Sequence, residues 1–118
     1  MSPLSNSDGL RWKNLIDTPN GVLGIALVSK GYAAPLHHHS LQETYYVLHG
    51  SAHMYINGII REVDAPMKIT IDSDKIHALT PMSDHVILLY VFDRGPFSSI
   101  EYKWPDVPTL HSIIQSRL

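Results

Sequence analysis

Apolar residues in this chain come in short runs, each closed by a residue that turns or breaks the backbone. Residues 22–28 are apolar and end at Lys30-Gly31. Residues 44–48 are aromatic and β-branched and end at Gly50. Residues 53–56 end at Asn57-Gly58, and residues 59–63 follow directly. A two-residue hairpin turn needs positive φ at both central positions, which Asn and Gly tolerate best, so these two runs read as a hairpin. Residues 67–71 alternate and stop at Asp72-Ser73-Asp74, and residues 76–79 are short and closed by Pro81. Residues 86–92 are apolar on both faces. Many short strands at intervals of about 8–12 residues predict an all-β sandwich or barrel. A helical pattern is confined to residues 108–117, with Leu110, Ile113 and Ile114 on one side. Residues 1–10, rich in Ser, Asn and Gly, are predicted to be flexible.

The run at 86–92 carries a further expectation. A barrel strand turns one face inward and the other outward. An outward apolar face wants a cover, so a homodimer is expected.

Composition narrows the class of function. A chain of 118 residues suits one domain. The barrel core is expected at about 21–92, with residues 93–118 packing on the barrel or on a partner. No apolar stretch approaches the ~20 residues that span a bilayer, and the first residues have no signal-peptide pattern. A cytoplasmic location and no membrane partner are therefore expected. With a net charge of −2 and no basic stripe, nucleic acid is not an expected partner. Cysteine is absent, so disulfides play no part.

Histidine is where the composition becomes specific: there are eight, and His37, His38 and His39 are consecutive and internal. On an extended segment residues two apart share a face, so His37 and His39 can lean toward one metal while His38 points away. Glu43 follows after a stretch long enough to turn. Alternation from Glu43 puts Tyr45 and Val47 on the carboxylate's face. His77, in the apolar segment Ile76-His77-Ala78-Leu79, is the best candidate for a fourth ligand from a separate strand. Three His and one Glu suit one divalent transition metal, with Fe, Mn, Ni, Co, Cu and Zn all compatible. Four protein ligands leave two open positions on an octahedral metal, room for a small-molecule substrate. Tyr45, in the same cavity, reads equally as a general base or as a packing aromatic. Tyr46 faces the other way. Met54 is assigned inward, and Tyr102, Trp104 and Trp12 are placed near the barrel mouth. His49, His53, His85 and His111 read as surface or packing residues.

This spacing resembles the cupin family. Its first motif runs Gly, five residues, His, one residue, His, three or four residues, Glu, six residues, Gly. Gly31, His37, His39, Glu43 and Gly50 match it in full. Of the second motif only His77 survives, because Ala65-Pro66, Asp72-Ser73-Asp74 and Pro81 stand where its turn residues would be. The resemblance implies a single-domain cupin, a double-stranded β-helix or jelly-roll barrel. Arg11-Trp12-Lys13-Asn14-Leu15-Ile16-Asp17 and Phe97-Ser98-Ser99-Ile100-Glu101-Tyr102 are similar to a narrower group that includes small cupin dimethylsulfoniopropionate lyases. That likeness implies metal ligands His37, His39, Glu43 and His77, a catalytic Tyr45, a second catalytic tyrosine at Tyr102, and an aromatic pocket residue at Tyr90. With Met54 and Val47, Tyr90 completes the expected substrate pocket. The expected activity is metal-dependent β-elimination on a small carboxylate. A metal-dependent dioxygenase and a non-catalytic small-molecule-binding cupin are the alternatives.

Overall fold

A computed structural model describes residues 9–32 and 34–117. Eight strands run in the order β1 (Leu10–Thr18), β2 (Gly21–Ser29), β3 (Glu43–His49), β4 (Ser51–Ile56), β5 (Ile59–Asp64), β6 (Met67–Ile71), β7 (His77–Pro81) and β8 (His85–Phe92). A single 3-10 turn, Phe97–Ser99, and one helix, α1 (Leu110–Ser116), follow. Five strands form one antiparallel sheet in the order β1-β2-β8-β3-β6, and three form a second in the order β5-β4-β7.

Alternation decides what lies between the sheets. In β2, Val22, Gly24, Ala26 and Val28 are buried while Leu23, Ile25 and Leu27 are half-buried. In β8, Val86, Leu88, Tyr90 and Phe92 are buried while Ile87, Leu89 and Val91 are half-buried. The two buried sets meet Val47, Met54, Val63 and Ile71 from the other strands in one core. The other set makes an apolar outer face. Across β2, β8 and β3 its rows read Leu23–Val91–Thr44 and Ile25–Leu89–Tyr46.

Two turns set the sheets against each other. Asn57 and Gly58 join β4 to β5 with φ of 48° and 94°, as their sequence predicts. The Asn57 main chain and side chain both bond the backbone of Ile76, which aligns the approach to β7 beside the hairpin. Gly50, with φ 91°, passes the chain from the larger sheet to the smaller. A Cβ there would lie 2.2 Å from the carbonyl oxygen of His85, so the crossing admits only glycine. Helix α1 starts at Thr109, whose side chain accepts from the Ser112 N–H, and seals the outside of the smaller sheet. There Leu110 packs with Ala34, Leu36 and Ala78, and Ile113 and Ile114 join them.

The sequence pattern does not predict β1. It is a strand of the larger sheet, and its first residue, Leu10, is buried in the core instead of belonging to a flexible tail. Residues 1–8, the rest of that predicted tail, lie outside the described residues. The alternation of β1 is hidden by a β-bulge between Asn14 and Ile16, which sets two apolar residues side by side. His85, expected in a loop, is the exposed first residue of β8.

Candidate metal centre

Three histidines are brought together by backbone pairing. The main chains of His37 and His77 exchange both N–H···O bonds, at 3.2 and 2.9 Å, as an isolated bridge between the loop before β3 and the start of β7. The Asp74 N–H donates to the carbonyl of His39 at 2.8 Å. Glu43 opens β3 opposite Ile71 and Phe92. All four side chains are buried. His38 points elsewhere, with Nδ1 3.3 Å from the carboxylate of Asp74 and its side chain 24% exposed.

Hydrogen bonding fixes the ring state of the three buried histidines. Nδ1 of His37 lies 3.2 Å from the Pro35 carbonyl, Nδ1 of His39 2.8 Å from that of Leu41, and Nδ1 of His77 2.7 Å from that of Lys75. A carbonyl only accepts, so each Nδ1 carries a proton and each Nε2 is turned toward the other donors. One ring nitrogen from each lies within 4.8 Å of the other two. Glu43 Oε1 sits 3.2 Å from His39 Nε2 and 3.4 Å from His77 Nε2. Ligands held at about 2.1 Å from one cation lie about 3.0–4.2 Å apart, so the spacing suits a shared ion. The decisive observation is His77 Nε2, a wholly buried nitrogen that among the described residues has only the long 3.4 Å approach to Glu43 and no well-formed hydrogen bond. A buried unsatisfied polar atom is costly, and coordination to a cation satisfies it. The donor set therefore fits a divalent transition metal.

Electrostatics agree with that fit. Burial holds the His37 imidazole at a pKa of about 3, so it is a neutral ligand. Burial also opposes charge on Glu43, but the hydrogen bond from His39 and the neighbouring His77 outweigh it and hold the carboxyl well below the usual range. His39 is shifted upward, because the hydrogen bond and charge of Glu43 outweigh its own desolvation.

A cavity of about 90 Å³ adjoins His37 and Glu43, and six of its lining residues are aromatic: Trp12, Tyr32, Tyr45, Tyr90, Phe97 and Tyr102. Among the described residues, no Lys or Arg lines it. Tyr45 shares the face of Glu43, and its ring centroid is 6.5 Å from that of His77. Tyr102 is delivered by the C-terminal segment, which pairs with the triplet through two backbone bonds between Lys103 and His38. That clamp sets the Tyr102 ring 5.6 Å from His37 and 5.1 Å from His39, with Trp104 stacked on its outer side. Burial first, and then the charge of Glu43, raise the phenol pKa values of Tyr45, Tyr90 and Tyr102.

The expected pocket is only partly assembled here. Tyr90 faces inward and lines the cavity. Met54 does not line it and instead lines a separate hollow with residues of β5 and β6. Val47 is core, 1% exposed, two residues too far along β3 to reach the cavity. Tyr46 is exposed as expected, and so are His49 and His111. Asn14 and Gly24 are not anticipated by the sequence reading. The available signal is a glycine inside an otherwise apolar strand, which marks a close approach.

No protein-family model matches the chain. It is 30% identical over 100 residues to dimethylsulfoniopropionate lyase DddW of Ruegeria pomeroyi, a match that covers 80% of this chain and 66% of that protein. Dimethylsulfoniopropionate lyase DddQ of Ruegeria pomeroyi superposes with a TM-score of 0.72 at 19% identity, over 82% of this chain and 52% of that one. An RmlC-like cupin of Shewanella frigidimarina gives 0.72 at 19% identity, over 80% and 84%. Salicylate 1,2-dioxygenase of Pseudoaminobacter salicylatoxidans gives 0.76 at 14% identity, over 89% and 32%. These likenesses establish the fold.

Proposed function

We propose that this chain, a cupin by fold that resembles dimethylsulfoniopropionate lyases, is a metal-dependent lyase that eliminates a β-substituent from a small carboxylate. The observation that carries the reading is the juxtaposition of three buried histidines and Glu43 with an aromatic cavity that no Lys or Arg among the described residues lines. In the sharpest form the substrate is a sulfonium zwitterion of the dimethylsulfoniopropionate type.

His37, His39, His77 and Glu43 would hold the cation. When bound, it supplies a positive charge that binds the substrate carboxylate, stabilises negative charge at the adjacent carbon and favours ionisation of nearby phenols. Tyr45, on the strand face of Glu43, takes the proton from that carbon on its phenolic oxygen. The released electron pair becomes the carbon–carbon double bond, and the carbon–sulfur bond breaks with its electrons on sulfur. The products are acrylate and a neutral thioether. Tyr102 closes the cavity beside His37 and His39 and orients the carboxylate end. Ring faces hold the sulfonium by cation–π attraction, about 1–2 kcal/mol when desolvated. The apolar outer face of β2, β8 and β3 supports a homodimer.

The test is Tyr45→Phe, which keeps the ring. Metal content should be retained, while acrylate release falls by about 10²–10⁴-fold, the usual contribution of a general base. If wild-type protein loaded in turn with Fe, Mn, Ni, Co, Cu and Zn releases no acrylate, the lyase reading is wrong. Oxygen uptake with small carboxylates would then test a dioxygenase.

A further inference from the structure

Tyr90 lies in an unusual place for an inward-facing tyrosine. It stands on β8 directly between Gly24 on β2 and Tyr45 on β3. Its side chain leans toward β2 and crosses above Gly24. A Cβ at position 24 would lie 1.9 Å from the Tyr90 Cζ and 2.2 Å from its hydroxyl. Beyond Gly24, on β1, the side-chain oxygen of Asn14 accepts from the Tyr90 hydroxyl at 2.6 Å. The phenol therefore spans two strands flat against the wall, and its hydroxyl is directed away from Glu43.

The bulge in β1 adds a second anchor. Up to Asn14 the strand pairs in step with β2, so Asn14 sits opposite Gly24 and faces inward. The extra residue then re-phases the strand, and Asp17 instead of Ile16 pairs with the inward Val22. Asp17 accepts from the Phe97 N–H at 2.7 Å. Phe97 in turn packs on Tyr90, with centroids 6.4 Å apart, and on Trp12 at 5.4 Å. One bulged strand thus braces two adjoining aromatic walls by their polar ends.

We infer that Asn14 is a positioning residue and Gly24 a steric clearance that together hold Tyr90 flat, so this wall offers a ligand a ring face and withholds the hydroxyl. The consequence is selectivity. A group lying against this wall gains cation–π and dispersion contact but finds no hydrogen-bond partner in Tyr90. Methylated onium groups lose nothing by this, whereas a primary ammonium must give up its hydrogen bonds to water. The selectivity rests on the proposed lyase reading, while the brace itself does not.

The experiment separates the two. Tyrosine rings labelled with 13C report the Tyr90 ring by NMR. In the wild type the clamped ring should flip slowly and give distinct signals for its two edges. Asn14→Ala should merge them, Asn14→Asp should restore them because its oxygen still accepts, and Tyr45 and Tyr102 should be unchanged throughout. Unaltered Tyr90 signals in a folded Asn14→Ala protein overturn the inference whatever binds. Gly24→Ala supplies an independent check, because it must lift the ring and shift its signals. Calorimetry on zinc-loaded protein then compares dimethylsulfoniopropionate with 3-aminopropionate. The wild type should prefer the former, and Asn14→Ala should erode that preference by about tenfold. An unchanged preference overturns the selectivity claim. Failure of dimethylsulfoniopropionate to bind the wild type contradicts the lyase reading, while merged Tyr90 signals in Asn14→Ala would still uphold the brace.

Discussion

Metal binding at the four donors should appear as stability, and the size of the effect can be worked out. A ligand that binds only the folded state adds RT ln(1 + [L]/Kd), about 4.1 kcal/mol at a thousandfold excess over Kd. Unfolding entropy near the midpoint is about 2.1 cal/mol/K per residue, hence about 0.25 kcal/mol/K for 118 residues. The ratio gives a rise of about 16 °C in Tm. His77→Ala removes the proposed ligand whose buried Nε2 has no well-formed hydrogen bond among the described residues. If it weakens Kd a thousandfold, RT ln 2 remains, about 0.4 kcal/mol, and the rise falls below about 2 °C. His38→Ala should keep the full rise, because its contact with Asp74 is partly exposed and faces away from the other three rings. The assay is thermal unfolding followed by circular dichroism, with zinc and with chelator, each variant compared with its own metal-free form so that lost packing cancels. A wild type that gains under about 2 °C from zinc, nickel, cobalt and manganese alike would refute the reasoning. So would a His38→Ala protein that loses the rise as fully as His77→Ala.

Three further outcomes follow from the fold. Light scattering at micromolar concentration should give about 26 kDa, twice the 13.2 kDa chain, and Leu89→Lys should halve it by charging the centre of the apolar outer face. A wild-type mass near 13.2 kDa would contradict the dimer. In urea unfolding, Gly50→Ala should cost about 2–3 kcal/mol or more, since strain at positive φ adds to overlap with the His85 carbonyl. Gly58→Ala, at the same kind of φ but with open space around it, should cost only about 1 kcal/mol, and equal losses at both positions would show that the overlap is relieved. Trp104→Ala should uncover Tyr102, whose outer side it stacks on, and speed tyrosine modification by tetranitromethane about threefold or more if the removed contacts shield that ring; an unchanged rate would argue against shielding.

Strand positions were legible wherever one residue in two had to be apolar. The runs at 22–28, 44–48, 59–63 and 67–71 fall on β2, β3, β5 and β6 with edges off by two residues at most. The Asn57-Gly58 turn and the helix side formed by Leu110, Ile113 and Ile114 follow from equally local chemistry. The buried cluster of His37, His39, His77 and Glu43 was legible because cores otherwise avoid these residue types. The cavity walls were not, for a physical reason. Parity along a strand says which face a side chain leaves from, but not how far along the barrel the cavity extends. Val47 and Met54 both point inward, and both end in packed core or in a different hollow. Nor does parity survive a bulge, which is why β1 reads as irregular until Asn14 and Asp17 are seen to have different tasks.

The proposed reaction therefore rests on a few positions in a widely shared fold. Chains 14–19% identical to this one share its fold, and they include both a lyase and a dioxygenase. A fold that common cannot select among reactions; the side chains around the metal must. Here they are a tyrosine on the same strand as the carboxylate ligand, a second tyrosine clamped over two of the histidines by the C-terminal segment, and a third laid flat by a glycine and an asparagine. One of the three directs its hydroxyl to Asn14, while the rings of the other two lie 5.1–6.5 Å from the clustered histidine rings. That division of labour suits a substrate with two unlike ends, an anionic one handled by polar oxygens and a cationic one held by ring faces. It also explains why β1 belongs to the site although it contributes no metal donor: its bulge lets Asn14 anchor Tyr90 and Asp17 anchor Phe97 from positions of opposite parity.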